Sequence, residues 1–170
     1  MPTRYTDDVV YFYRKDSFLS NHHPAPFTLK GKTFSCVEQC YFYSKAIILD
    51  DQVMAQAIYN TDDPAKLMQL NALMKEHEYA DWCVERRFNI MVAATLAKYL
   101  QPPHLKRQLL DTGERLIVEA SPNRVWGIGV DISSQFLEHR RFWKGDNLLG
   151  RVIMTVREML GGYGIVDWVA

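Results

Sequence analysis

The chain has 170 residues, 48% of them hydrophobic and 24% charged, a composition typical of a globular protein with one core. Its 20 basic and 20 acidic side chains cancel, which argues against a protein that holds nucleic acid through a broad basic field. We therefore expect a single domain over residues 1–170, in which any nucleic-acid substrate is recognised in a pocket.

Cysteine usage and hydropathy predict a soluble, cytoplasmic protein. The three cysteines lack CxxC spacing, and no histidine follows Cys36 and Cys40 at zinc-finger distance, so we expect reduced structural thiols, no metal and no cofactor. The amino terminus has no apolar signal-peptide core, and no run approaches the roughly 18 apolar residues of a membrane span. No membrane partner is expected.

Short strands are predicted first. Residues 9–13 are β-branched and aromatic, which predicts a buried strand, and a polar loop follows at residues 17–24. Residues 27–29 and 33–34 flank a segment in which Gly31 can adopt the positive φ of a tight turn. The pattern there predicts a hairpin.

The middle of the chain is predicted to be helical. The expected helices are residues 51–60, a helix that opens at residue 64, residues 80–100, and residues 104–111. Asp63 caps the second helix and Pro64 occupies its first position. Trp82 is among the apolar side chains that the third helix can bury, and prolines at 102 and 103 end it. Gly113 is the predicted stop signal of the fourth helix.

The last third combines strands with a helix. Residues 115–120 alternate enough for a strand, and residues 125–130 are predicted as a second strand or its flank. The two glycines of the latter would let another group approach the backbone closely. Apolar positions over 148–160 predict a final amphipathic helix, with Asn147 as cap and Gly161 as stop.

Two features beside the final helix suit a phosphate, and each has a simpler alternative. Residues 145–147 stand at its amino terminus, where free N–H groups can bind an anion, but capping by Asn147 explains them equally well. Residues 139–144 interleave cations with aromatics, which suits a phosphate or base and is also typical of a solvated helix face.

Residues 35–46 carry a carboxylate and an amine seven positions apart. On an α-helix this spacing puts Glu38 and Lys45 within about 20° of one line and about 10 Å apart along the axis. Tyr41 and Phe42 lie between them, so the two polar groups would flank an aromatic floor. The pattern predicts a pocket wall, although an average helix can also carry this pair by chance.

Four separated regions carry a family resemblance. They are Phe-Leu-Ser-Asn at 18–21 with Pro-Phe at 26–27; Phe-Ser-Cys-Val-Glu-Gln at 34–39 running to Lys-Ala at 45–46; Leu-Leu-Asp-Thr-Gly at 109–113 with Val-Glu-Ala at 118–120; and Trp-Gly-Ile-Gly at 126–129 with Asn-Leu-Leu-Gly at 147–150. In order and spacing they resemble the NADAR family. The resemblance implies the α+β fold class: one small, mainly helical domain with a small β-sheet.

The resemblance also implies an activity. Characterised NADAR proteins hydrolyse N-glycosidic bonds between ribose and an exocyclic amine of a heterocycle. Two substrate classes are implied: ADP-ribose on guanine, in nucleic acid or a nucleoside, and the phosphorylated ribosylamino-pyrimidines of riboflavin synthesis. The expected partner is thus a small molecule containing ADP-ribose or ribose phosphate, or ADP-ribosylated DNA or RNA. We favour ADP-ribose, because cationic side chains are available near the final helix.

Position by position, the resemblance implies that Glu38 and Lys45 are catalytic. Asp131 is the only nearby substitute for a carboxylate that many members carry beside the tryptophan of the Trp-Gly motif. The expected substrate-binding residues are Ser20, Asn21, Tyr41, Phe42, Trp82, Trp126, Gly127, Asp131 and Asn147.

The implied chemistry needs a proton at a poor leaving group and stabilisation of positive charge at ribose C1. Glu38 suits both tasks. Lys45 either attacks C1 of the ring-opened sugar to form a Schiff base or acts only electrostatically. Trp126 offers a face for the base or sugar, or is simply a core residue.

Two other classes compete with the enzyme. A binding module would hold ADP-ribose or a nucleotide without cleaving it, and the presence of both Glu38 and Lys45 favours the enzyme over this module. A protein of interaction only would leave the polar residues without a common purpose.

Overall fold

The computed structural model describes residues 2–74 and 81–168. In chain order the helices and strands are β1 (Thr3–Tyr5), β2 (Val9–Phe12), β3 (Phe27–Leu29), β4 (Lys32–Phe34), α1 (Val37–Ile48), α2 (Gln52–Tyr59), α3 (Pro64–Ala72), α4 (Val84–Leu100), α5 (Pro103–Leu110), β5 (Leu116–Glu119) and α6 (Leu148–Met159). A 3₁₀ turn, Arg140–Phe142, precedes α6. The α+β class with mainly helical content is confirmed.

The chain forms two compact units, one made of Met1–His23 with Pro102–Ala170 and the other of Pro24–Gln101. The first unit contains a three-stranded sheet in the order β1-β2-β5, antiparallel between β1 and β2 and parallel between β2 and β5. Every residue of β2 is buried, as predicted, and α6 packs against β5. Strand β1 was not predicted, because its three residues are mostly exposed and carry no apolar pattern.

The loop at residues 125–130 forms no strand, so the first of the two predicted alternatives is wrong; it flanks β5, with the Ile128 N–H donating to the Glu119 carbonyl at 3.0 Å. Asn123 accepts the N–H groups of Val125 and Trp126 through Oδ1, both at 2.9 Å, and turns the chain away from an extended path. The loop carbonyls accept N–H groups from the start of α6: Val125 from Leu148 at 3.1 Å, Trp126 from Leu149 at 3.0 Å, and Gly127 from Asn147 at 3.0 Å. Because these donors are engaged, the predicted phosphate site at residues 145–147 is not supported.

Asn147 joins the start of α6 to β5 rather than capping the helix with its side chain. It is fully buried, with a φ of 51° that asparagine tolerates better than most residues. Its Oδ1 accepts the Glu119 N–H at 3.0 Å, and its Nδ2 donates to the Ile117 carbonyl at 2.8 Å. The fold accounts for both polar atoms, so the predicted substrate-binding role of Asn147 has no support in this geometry.

The second unit is organised around α1, which packs against α2, α3 and α4. The hairpin of β3 and β4 is confirmed, and its two-residue turn has positive φ at both Lys30 (49°) and Gly31 (77°), as a type I′ turn requires. The predicted cap at Asp63 forms, and Asp51, which was predicted to lie inside α2, caps that helix instead; each accepts a backbone N–H of its helix.

Helix α4 begins later than predicted. Ala80, the predicted start, lies outside the described residues, and residues 81–83 are not helical. The Trp82 carbonyl accepts a hydrogen bond from the Arg87 side chain at 3.3 Å. The predicted end of α4 before Pro102 is confirmed.

The remaining predicted boundaries agree with the structure to within a residue or two. Helix α5 is followed by Gly113 with a φ of 63°, and α6 is followed by Gly161 with a φ of 95°. Within residues 2–74 and 81–168, no helix combines the length and apolar character that crossing a bilayer requires.

Replacing Asn147 with alanine should destabilise the fold. The change removes the side-chain hydrogen bonds to the Glu119 N–H and the buried Ile117 carbonyl. We therefore expect the free energy of unfolding to fall by about 2–4 kcal/mol. Urea denaturation measures this loss, and titration with ADP-ribose at a temperature where the variant is folded should give the parent affinity. A variant that kept its full stability but lost affinity for ADP-ribose would show that Asn147 contacts the substrate.

Candidate active site

The predicted site residues fall in both units. Glu38, Tyr41, Phe42, Lys45 and Trp82 belong to Pro24–Gln101, and the first four lie on α1. The residues in the other unit are Ser20, Asn21, Trp126, Gly127, Asp131 and Asn147.

The orientation of α1 is set by Gln39, a residue that the sequence did not single out. Its Oε1 accepts the Ser35 N–H at 2.7 Å, and its Nε2 lies 2.7 to 3.2 Å from three carbonyls at the end of α2, those of Ile58, Tyr59 and Thr61. A buried amide that bridges two segments fixes the rotation of its helix. This rotation decides which way the adjacent Glu38 faces.

Lys45 is buried in the last turn of α1, with 4% of its surface exposed. Its Nζ donates a hydrogen bond of 2.7 Å to Oδ1 of Asn71 on α3 and lies 5.6 Å from the ring centroid of Trp82. A lysine is rarely buried unless its amine has polar partners. Nothing in the spacing of the sequence indicated Asn71, because a partner on another helix follows no local period.

Three aromatic rings cluster near this amine through Trp82. The Tyr41 ring lies 5.6 Å from Trp82 and 5.8 Å from Phe42, and all three side chains are at most 5% exposed. Tyr41 and Phe42, the residues of the predicted aromatic floor, therefore pack against each other on α1. Trp82 extends it from the segment before α4.

Glu38 lies in the first turn of α1 and is half-buried. Helix geometry separates it from Lys45 by about 10 Å along the axis. A half-buried carboxyl remains within reach of a ligand, and the buried amine at the other end of the helix is shielded from water. The two groups thus differ in their exposure to solvent.

A second buried lysine, Lys98 on α4, was not among the predicted site residues. It is 1% exposed, and burial lowers its pKa to about 7, against a smaller opposing effect of Cys36. A substantial fraction of its amine is therefore neutral near neutral pH. Burial has the opposite effect on thiols, raising the pKa of Cys40 to about 12, so this cysteine stays protonated and is a poor nucleophile.

Ser20 and Asn21 lie in the turn-rich loop after β2 and are 5% and 8% exposed. The Ser20 Oγ accepts the His22 N–H at 3.2 Å, and the Ser20 carbonyl accepts the His23 N–H at 3.2 Å. The loop is therefore ordered by its own hydrogen bonds.

Trp126 is half-buried, which separates it from the fully buried core residues of its unit. The neighbouring Gly127 is required by packing: a Cβ there would lie 2.3 Å from Ser121 Oγ and 2.9 Å from the Glu119 carbonyl. The close approach predicted for this glycine is thus made by the protein itself, and a substrate contact is not needed to explain it.

Asp131 binds its own loop. Its Oδ1 accepts the Ser133 hydroxyl at 2.6 Å and the Ser133 N–H at 2.9 Å, and these bonds hold the pKa of the carboxyl below its usual range. An ionised carboxylate of this kind can accept a hydrogen bond but is unsuited to donate a proton. Among the residues that the structure describes, no group of three or more His, Cys, Asp or Glu side chains could hold a metal ion.

Relatives with known names share most of the chain. Protein irg-1 of Caenorhabditis elegans is 32% identical over 89% of this chain and 79% of its own length. An N-glycosidase of Acanthamoeba polyphaga mimivirus is 30% identical over 90% of this chain and 96% of its own length. A riboflavin biosynthesis protein of Vibrio vulnificus is 29% identical over 94% of this chain, which corresponds to 41% of that protein.

A solved structure and a family model agree with these relatives. The NMR structure of the Escherichia coli protein YbiA matches with a TM-score of 0.74 over 94% of this chain and 89% of that one, at 24% identity, which shows the fold alone. The model of the NADAR domain matches residues 11–161. Because this match covers most of the chain, the chain belongs to the NADAR family.

Proposed function

We propose that this protein is an N-glycosidase that removes ADP-ribose from the exocyclic amine of guanine. One observation carries the proposal: the amine of Lys45 is buried against Trp82 and oriented by Asn71, on the same helix as the half-buried Glu38. The names of the mimivirus and Nostoc punctiforme relatives, both N-glycosidases, support a glycosidase.

Glu38 is the proposed proton donor. When the bond between C1 and the exocyclic nitrogen breaks, the departing amine needs a proton, and the ribose ring develops positive charge at C1. A protonated Glu38 supplies that proton, and the resulting carboxylate then faces the cationic sugar. Glu38 recovers a proton from the water that later hydrolyses the imine between Lys45 and C1, and the released products are guanine with its neutral amine and ADP-ribose.

Lys45 is the proposed nucleophile. A ribosylamine opens to an imine at C1, and a neutral amine can add there and expel the guanine nitrogen, leaving a Schiff base between Nζ and C1. Water then hydrolyses that imine and regenerates the lysine. The hydrogen bond to Asn71 fixes the direction of Nζ, and the aromatic rings around it exclude competing water.

The second candidate function acts on the phosphorylated ribosylamino-pyrimidines of riboflavin synthesis. It is favoured by the relatives from Vibrio vulnificus and Arabidopsis thaliana, which are named riboflavin biosynthesis proteins. The same two side chains would serve, because this substrate also joins C1 to an exocyclic amine. Incubating the protein with each substrate and measuring free ADP-ribose or ribose 5-phosphate decides between them, and a pure binding module would release neither.

Glu38→Gln should lower turnover by a factor on the order of 10² or more, because it keeps the shape but removes the proton donor. Binding of ADP-ribose should survive. The matched control is Glu85→Gln, which makes the same change at an exposed glutamate in the first turn of α4. Cleavage at the parent rate by the Glu38 variant would show that this residue is not the acid.

Lys45→Arg should give little turnover, because arginine keeps the charge but cannot form an imine. Borohydride added during turnover should reduce the parent's Schiff base to a stable adduct, detected as added mass on the peptide containing Lys45. Lys66→Arg, at an exposed lysine on α3, should keep both activity and adduct. An active Lys45→Arg protein, or an adduct found on Lys98 instead, would remove the nucleophilic role of Lys45.

Trp126→Ala should weaken ADP-ribose binding by about 1–3 kcal/mol if the half-buried ring stacks on the substrate. Trp143 provides a contrast, because it is buried and its Nε1 donates to the Leu137 carbonyl at 2.8 Å. Trp143→Ala should lower the melting temperature instead. A Trp126 variant with a large melting loss and unchanged affinity would contradict the stacking role.

A further inference from the structure

Two cations contact the indole of Trp82. The Nζ of Lys45 lies 5.6 Å from the ring centroid, and the guanidinium carbon of Arg87 lies 5.7 Å from the same point. The two cationic groups are therefore at most about 11 Å apart. Lys45 has a role in the proposed chemistry, whereas Arg87 has none so far.

Within residues 2–74 and 81–168, much of the hydrogen-bonding capacity of Arg87 is unused. Arg87 is half-buried in the first turns of α4, and its Nη2 donates a bond of 3.3 Å to the Trp82 carbonyl. Its Nε is buried without a hydrogen-bond partner among the residues that the structure describes. A guanidinium has five N–H donors and keeps its charge, and a buried donor without an acceptor is costly. These donors are suited to an anion.

We propose that Arg87 binds the phosphate on C5 of the substrate ribose while Lys45 contacts C1 of the same sugar. This assignment rests on the proposed function, whose two substrate classes both carry a phosphate at that carbon. C1 and the phosphorus of a ribose 5-phosphate are separated by five bonds, about 6 Å through space. The bound of about 11 Å on the separation of the two cations allows one sugar phosphate to reach both along a bent path, with a contact of about 3 Å at each end.

Trp82 provides the surface that connects the two contacts. Its ring contacts two groups of the same charge, and a sugar phosphate that reached both would bring a negative group to Arg87 and the electrophilic carbon to Lys45. Arginine suits the phosphate because its planar fork pairs with two oxygens at once. Lysine suits C1 because a primary amine can form an imine with that carbon.

The competing interpretation is that Arg87 only braces Trp82 through the cation–π contact and the carbonyl bond. The two roles predict different effects on substrates with and without the phosphate. A phosphate ligand affects only substrates that carry the phosphate, whereas a brace affects every substrate that meets Trp82.

The test uses two ribosylamino-pyrimidines that differ only in the 5-phosphate. Arg87→Gln should raise KM for the phosphorylated substrate about 10- to 100-fold, the loss expected for a charge-assisted hydrogen bond, and leave kcat/KM for the unphosphorylated substrate unchanged. Arg86→Gln is the matched control, because Arg86 is exposed on the adjacent position of α4. It should behave as the parent with both substrates.

Equal losses on both substrates would overturn the proposal in favour of a brace, and no loss on either would overturn it outright. Titration with ribose 5-phosphate separates this inference from the proposed function. A parent that binds ribose 5-phosphate through Arg87 but cleaves neither pyrimidine nor ADP-ribosyl-guanosine would support the phosphate contact and refute the glycosidase. Equal ribose 5-phosphate affinity in the parent and Arg87→Gln would refute the phosphate contact alone.

Discussion

The hydrogen bond between Lys45 and Asn71 is the constraint on which the candidate site depends. An amine removed from water needs a polar partner, and here the partner comes from α3 while the ring of Trp82 comes from the segment before α4. Three separate parts of the chain must therefore fold correctly before the amine is placed. Since α1 packs against α3 and α4, burial of its apolar side stabilises the same arrangement that positions Lys45.

In the other unit, the segments that carry the family resemblance are largely explained by packing. The Trp-Gly segment and the Asn-Leu-Leu-Gly segment bind each other through backbone hydrogen bonds. Glycine is required at 150 as well, since a Cβ there would lie 2.2 Å from the Ile117 carbonyl. These segments therefore contain residues of two kinds: Gly127 and Asn147 build the junction of β5 and α6, whereas Trp126 is only half-buried.

Local patterns predicted the elements whose causes are local. The positive φ at Gly31, the cap at Asp63 and the prolines after α4 each act within a few residues, and all were found from the sequence. The errors arose where a distant partner decides the conformation. Residues 125–130 look like a strand by composition, yet their carbonyls serve α6. Likewise Glu38 and Lys45 were visible through helical spacing, but Asn71 and Arg87 became visible only through contacts across the fold.

The pair of cations beside Trp82 also bears on how a protein with no net charge can bind a highly charged substrate. Balanced charge over the whole surface gives little long-range attraction, so recognition must come from close contacts in a restricted place. In the proposed site this work is divided: Arg87 would bind the anionic end of the substrate, and Lys45 would react at C1. Because both cations contact one indole, they are at most about 11 Å apart, which in the proposed site favours substrates whose phosphate and glycosidic carbon lie one sugar apart.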